Sequence, residues 1–126
     1  QDDPHYGDVV TEVRDHLVAR ADAALAAGVP EVWIDPGIGF GKTVAHNLAL
    51  LAHLEVLVAT GHPVLVGTSR KGFLGKLTGG APVEDREEAT IATGVWAAAA
   101  GAKMVRVHEV GPAVEAMRIV SEEVVR

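Results

Sequence analysis

Asp35 ends the apolar run Val32-Trp33-Ile34 and is followed at once by Pro36. Thr68, Ser69, Arg70 and Lys71 follow a second run, Pro63-Val64-Leu65-Val66-Gly67. Arg106 and His108 close a third, Lys103-Met104-Val105-Arg106-Val107, and their alternation puts both on one face of a strand. If the three runs are parallel strands, a carboxylate, three long cations and an imidazole converge on one rim. Taken singly, each has a plainer use. Asp35 before Pro36 is a turn former, Lys71 beside a helix start is a solvated cation, and His108 is a satisfied structural side chain. Their coincidence at successive strand ends is what points to a site.

Between Asp35 and the next helix lies Gly37-Ile38-Gly39-Phe40-Gly41-Lys42-Thr43, a strand-to-helix loop whose backbone N–H groups can meet an anion or a polar ligand edge. A nucleotide phosphate loop is excluded, because Pro36 stands where that motif needs its first glycine. The dinucleotide fingerprint fails as well, since Lys42 occupies its third glycine position. The histidines form no His-x-x-x-His pair for zinc, and no Gly-x-Ser-x-Gly elbow offers a hydrolase serine.

The elements that must position these residues follow from periodicity. Val10, Val13, Leu17, Ala21, Ala24 and Leu25 fall at helical spacing over residues 8–27, with Gly28 as the stop. A second helix is expected from Val44 to Thr60, closed by Gly61, and a third from Val83 to Ala100, closed by Gly101. Asp85, Glu87 and Glu88 sit in the first turns of the third, where the helix dipole favours acids. A polar turn with a short helix is expected over 68–75, and a loop at Gly79-Gly80-Ala81-Pro82. The last helix presents Val114, Met117, Val120 and Val124. Helix followed by three strand–loop–helix units means α/β with parallel strands, either an open doubly wound sheet or part of an eight-stranded barrel.

Composition fits one domain at most. The chain has 126 residues, 48% of them apolar but only 4% aromatic, which suits Ala-, Val- and Leu-rich helices on a buried parallel sheet. A net charge of -6 argues against a nucleic-acid surface. Absence of cysteine removes disulfides and thiolate metal sites, and the polar start Gln1-Asp2-Asp3-Pro4-His5 lacks a signal-peptide core. No run is apolar enough for a membrane span, so a cytoplasmic location is expected.

Four linked segments resemble the dihydropteroate synthase family in order and spacing: residues 34–43 with Ile34-Asp35-Pro36-Gly37, then His46-Asn47-Leu48, then Gly67-Thr68-Ser69-Arg70-Lys71, then Arg106-Val107-His108. The resemblance implies a TIM-type barrel, incomplete here, with residues 1–126 as its carboxyl-terminal part: one leading helix and three strand–helix units. It implies condensation of 4-aminobenzoate with (7,8-dihydropterin-6-yl)methyl diphosphate, releasing diphosphate. By position, Asp35 resembles the family's pterin-binding aspartate and Lys71 the lysine at the pterin's carbonyl side. Arg106 and His108 match the pair beside the pterin and the leaving diphosphate, while Phe40 and Arg70 match walls of the 4-aminobenzoate pocket. Ser69 is implied to be substrate-binding, and Lys71, Arg106 and His108 are the implied catalytic residues. Magnesium is expected on the substrate diphosphate, with its protein ligand outside this chain. Gly72 stands where many members have serine, and Glu109 replaces the usual aspartate after the histidine. The isolated chain is expected to be inactive and to self-associate through open strand edges, giving a homo-oligomer.

Two other readings compete. A corrinoid-linked pterin methyltransferase would share the barrel and the pterin-orienting aspartate, but would not need the cations of Ser69-Arg70-Lys71 and Arg106-Val107-His108. A non-catalytic binding or assembly module would retain only the anion rim.

Overall fold

The computed structural model describes residues 8–39, 41–68 and 87–119. Helix α1 (Val9–Ala26) begins at Asp8, whose carboxylate accepts the Thr11 N–H at 3.2 Å and the Thr11 hydroxyl at 2.9 Å. That N-cap satisfies a donor the helix cannot, and the Thr11 hydroxyl holds the Asp8 carboxyl below the usual carboxylate range. The chain leaves α1 through Gly28 at φ +100°, the left-handed conformation that the sequence predicts there. Val9, Val13 and Ala21 bury one stripe of α1, with Val10 and Leu17 packed beside them. Leu25, expected inside, is 42% exposed.

Strand β1 (Leu65–Gly67) pairs in parallel with β2 (Met104–Arg106), so that Gly67 lies opposite Arg106. On its other side, Val64 bridges Ile34, also in parallel, through Ile34 N–H to Pro63 O and Leu65 N–H to Ile34 O, both at 2.9 Å. Among the described residues, the expected strand at 32–34 is reduced to a single bridge. Strand neighbours follow chain order, and among the described residues the sheet is not closed. Neighbours in chain order are consistent with a barrel wall, and occur also within one half of a doubly wound sheet. The core is Ile34, Ile38, Leu50, Leu54, Leu57, Val64 and Val66, each 3% exposed or less.

The helix expected over 44–60 is two helices, α2 (Val44–Ala52) and α3 (Leu54–Val58), broken at His53. In an unbroken helix the Leu51 carbonyl would accept the Glu55 N–H. It instead accepts the indole N–H of Trp96 at 2.6 Å, and the next turn tightens, with Val56 N–H on His53 O at 3.0 Å. A donor inserted from a distant element explains the break without proline. Trp96→Phe keeps an aromatic ring and deletes that bond, so the full-length protein should lose about 1 kcal/mol, read from its urea midpoint. An unchanged midpoint would mean that the indole bond does not hold the bend.

Trp96 belongs to α4 (Glu87–Ala99), which packs against β2 and α5 (Val110–Ile119). In α5 the buried residue is Ala113, and Val114, expected inside, is 44% exposed. The expected turn at 69–75, the loop at 79–82, the first turn of the third helix, Val120 and Val124 lie outside the described residues. No helix among those described is long and apolar enough to cross a membrane.

Candidate functional site

Parallel pairing fixes which ends of the strands share a rim. Asp35 follows the Ile34 bridge, Thr68 follows β1, and Arg106 and His108 end and follow β2. All lie at carboxyl ends, on the rim where α/β folds collect function.

Asp35 is half-buried, and its Oδ1 accepts the Gly37 N–H at 2.8 Å across the Pro36 turn. The turn-forming use of Asp35 is therefore real and coexists with the rim position. Gly37 is at φ +71°, a conformation that suits glycine and strains any other residue here. Sequence reasoning missed what fixes the rest of the loop. Lys42 Nζ donates to the Gly37 carbonyl at 3.0 Å, and Asn47 Oδ1 accepts the Gly39 N–H at 2.9 Å. Asn47 is 1% exposed, a buried amide in a helix whose other buried residues are Leu50 and Leu51, and that contrast was the available signal. Thr43 and His46 close a capping box at the start of α2: His46 N–H donates to Thr43 Oγ1 and Thr43 N–H to His46 Nδ1, each at 3.1 Å.

Burial lowers the pKa of Lys42 from the usual lysine range, and the Asp35 charge opposes this only in part. A lowered folded-state value means that the unfolded chain holds more protons between the two values. Stability therefore rises with pH across that window, and below it the charged Lys42 costs the fold free energy. Asn47→Leu leaves the Gly39 N–H without its acceptor, so a loss of about 1–3 kcal/mol is expected from thermal or urea unfolding. Wild-type stability in that variant would show that the loop does not need the amide.

At the other strand ends the outcomes differ. Thr68 is 1% exposed and its hydroxyl lies 2.6 Å from that of Thr93, which is also within reach of the Ala89 and Thr90 carbonyls. Thr93 has one hydroxyl proton and carbonyls to give it to, so Thr68 donates to Thr93. Thr68 ties β1 to α4 rather than serving the rim. Arg106 is an exposed residue on β2, and its guanidinium lies across Gly67: a Cβ there would stand 2.7 Å from one terminal nitrogen and 3.0 Å from Nε. Glycine at 67 is what leaves that berth open. His108 and Glu109 are exposed just before α5. Phe40, Ser69, Arg70, Lys71 and Gly72 lie outside the described residues. Among those described, no three His, Cys, Asp or Glu side chains come close enough to hold a metal ion.

A model of the pterin binding enzymes matches residues 1–108. The chain belongs to the pterin-binding enzyme family. Among its relatives, the dihydropteroate synthase of Mycobacterium leprae is 52% identical over 124 residues, which are 93% of this chain and 44% of that protein. Dihydropteroate synthase from Thermus thermophilus in complex with 6HMPPP superposes with a TM-score of 0.90 at 47% identity, over 94% of this chain and 47% of that one. The Xanthomonas albilineans enzyme in complex with 7,8-dihydropteroate gives 0.90 at 47% identity, over 94% of this chain and 46% of that one. The chain thus spans about half the length of the pterin-binding relatives it matches. In this family member the described part of the rim is Asp35, Arg106 and His108, standing on an unclosed parallel sheet.

Proposed function

We propose that this chain is the carboxyl-terminal half of the barrel of a cytoplasmic dihydropteroate synthase, and that the full-length protein condenses 4-aminobenzoate with (7,8-dihydropterin-6-yl)methyl diphosphate. The observation that carries the reading is 52% identity to such an enzyme across 93% of the chain. The placement of Asp35 and Arg106 at carboxyl ends of parallel strand segments on either side of β1 supports it.

In the reaction, the amine nitrogen of 4-aminobenzoate attacks the pterin methylene carbon. The carbon–nitrogen bond forms as the carbon–oxygen bond breaks, the bonding pair leaves with diphosphate, and the amine proton passes to solvent. Negative charge grows on the leaving oxygen, and Arg106 is a fixed cation placed to stabilise it, with Lys71 and His108 in the same role. Asp35 accepts hydrogen bonds from the amidine-like edge of the pterin and holds the ring in line. Ser69, Arg70 and Phe40 complete the 4-aminobenzoate side. The aromatic amine already carries its lone pair, so no general base is required. Magnesium bound on the diphosphate would add positive charge beside the leaving oxygens.

The remaining strands of the barrel would seat along β2, where Met104 is 48% exposed. Without them, this edge should pair with a second copy, and light scattering of the isolated chain should give more than the monomer mass. The function is tested by supplying both substrates to the full-length protein. Diphosphate should be released in step with dihydropteroate. Methyl transfer without diphosphate release would favour the corrinoid-linked alternative.

A further inference from the structure

Asp35 and Lys42 hold opposite ends of one residue. Asp35 Oδ1 accepts from the N–H of Gly37 and Lys42 Nζ donates to its carbonyl, at 2.8 and 3.0 Å. The ammonium also lies against the bare face of Gly37, 3.2 Å from where a Cβ would stand. Asn47 fixes the next part of the loop through Gly39, so Gly37 is the joint left for Lys42 to control. Asp35, Gly37 and Lys42 all line a cavity of about 240 Å³ between this turn and α1.

We propose that Lys42 is a positioning residue for the Asp35 carboxylate: by holding the Gly37 carbonyl it restrains φ and ψ of Gly37, steadies the N–H that Asp35 accepts, and so fixes the rotation at which Asp35 meets the pterin ring. The inference rests on Asp35 being the pterin anchor. Rotation about the carboxylate's last bond is broad, so Asp35 alone would sample many orientations. Its bond to Gly37 N–H selects one, but only while the Gly37 peptide stays still. Glycine resists rotation less than any other residue, and a cation on its carbonyl supplies the missing restraint. A stabilising role explains the residue poorly, since burial of its charge opposes folding at neutral pH. An apolar chain of similar length would fill the same space without that cost.

The test uses the full-length protein, with dihydropterin alcohol (the substrate without its diphosphate) and inorganic diphosphate as separate calorimetric probes. Lys42→Met should weaken the alcohol by about tenfold, as expected for losing one oriented charge-assisted contact, and leave diphosphate binding unchanged. Its melting temperature should not fall. Lys42→Arg, which keeps charge and donors, should recover most of the loss. Wild-type affinity for the alcohol in Lys42→Met, beside a clear loss in Asp35→Asn, would overturn the role of Lys42 alone. Wild-type affinity in Asp35→Asn as well would remove the pterin anchor and the inference with it. A fall in melting temperature with equal losses for both probes would mark Lys42 as packing and also overturn the inference.

Discussion

Asp35→Asn in the full-length protein should lower kcat/KM for the pterin substrate by about a hundredfold or more, since hydrogen bonds to a charged group each contribute about 1.5–3 kcal/mol. Asparagine is the informative choice. Its side-chain oxygen can still accept the Gly37 N–H that Asp35 Oδ1 accepts at 2.8 Å, so the turn survives. What it loses is the charge and one of the two acceptors needed to meet a pair of ring donors. The effect should appear in both kcat and KM, because ring orientation matters in the ground state and at the moment of bond cleavage. Stability should change by less than about 0.5 kcal/mol, as for substitutions that leave packing intact. A variant with wild-type kinetics would return Asp35 to turn formation alone.

Gly67→Ala should lower affinity for diphosphate by about tenfold, the scale of one charge-assisted contact. Its Cβ would stand 2.7 Å from a terminal nitrogen of Arg106, and the guanidinium must leave its place over the strand. The displaced atoms end a flexible side chain, so the fold should yield cheaply. Gly67 is not at positive φ, so alanine there also restricts the unfolded chain, worth about 0.4–1 kcal/mol in favour of folding. The signature is weaker anion binding in a protein as stable as wild type or more so. Arg106→Ala should show the same loss, and the double variant no more than either alone. Additive losses would mean that Gly67 and Arg106 act separately.

Much of this was legible in the sequence because it depends on neighbours in the chain. The stripe Val13, Leu17 and Ala21 marks α1, Gly28 marks its end, and the apolar run Val64-Leu65-Val66 marks a strand with Val64 and Val66 buried on one face. Alternation between strand and helix then places Asp35 and Arg106 on one rim without knowledge of any contact. What was not legible depends on distant partners. The break at His53 comes from Trp96, on another helix, and no local residue there signals it. Leu25 and Val114 have helical spacing but are 42% and 44% exposed, because how far a position is covered depends on distant elements rather than on its own helix. Thr68 looked like a rim residue because strand ends collect polar groups, yet Thr93 takes its hydroxyl inward. Lys42 was read only as the residue that spoils a nucleotide fingerprint. Its contact with Gly37 needs the left-handed turn at Gly37, which a motif does not describe.

The arrangement also changes what the glycine loop does. Its alternate glycines, at φ +71° for Gly37, +88° for Gly39 and +61° for Gly41, suggest a phosphate cradle. Two of its backbone groups are already taken by protein: Gly37 N–H by Asp35 and Gly39 N–H by Asn47. The loop is braced rather than open, and among the described residues the strand-end cation is Arg106, at the end of β2.

The most direct measurement is a crystal structure of the full-length protein with the pterin diphosphate bound. The account predicts the ring's nitrogen edge on the Asp35 carboxylate and the diphosphate beside the Arg106 guanidinium. A diphosphate seated on the backbone of residues 37–41, or a ring bound away from Asp35, would contradict it.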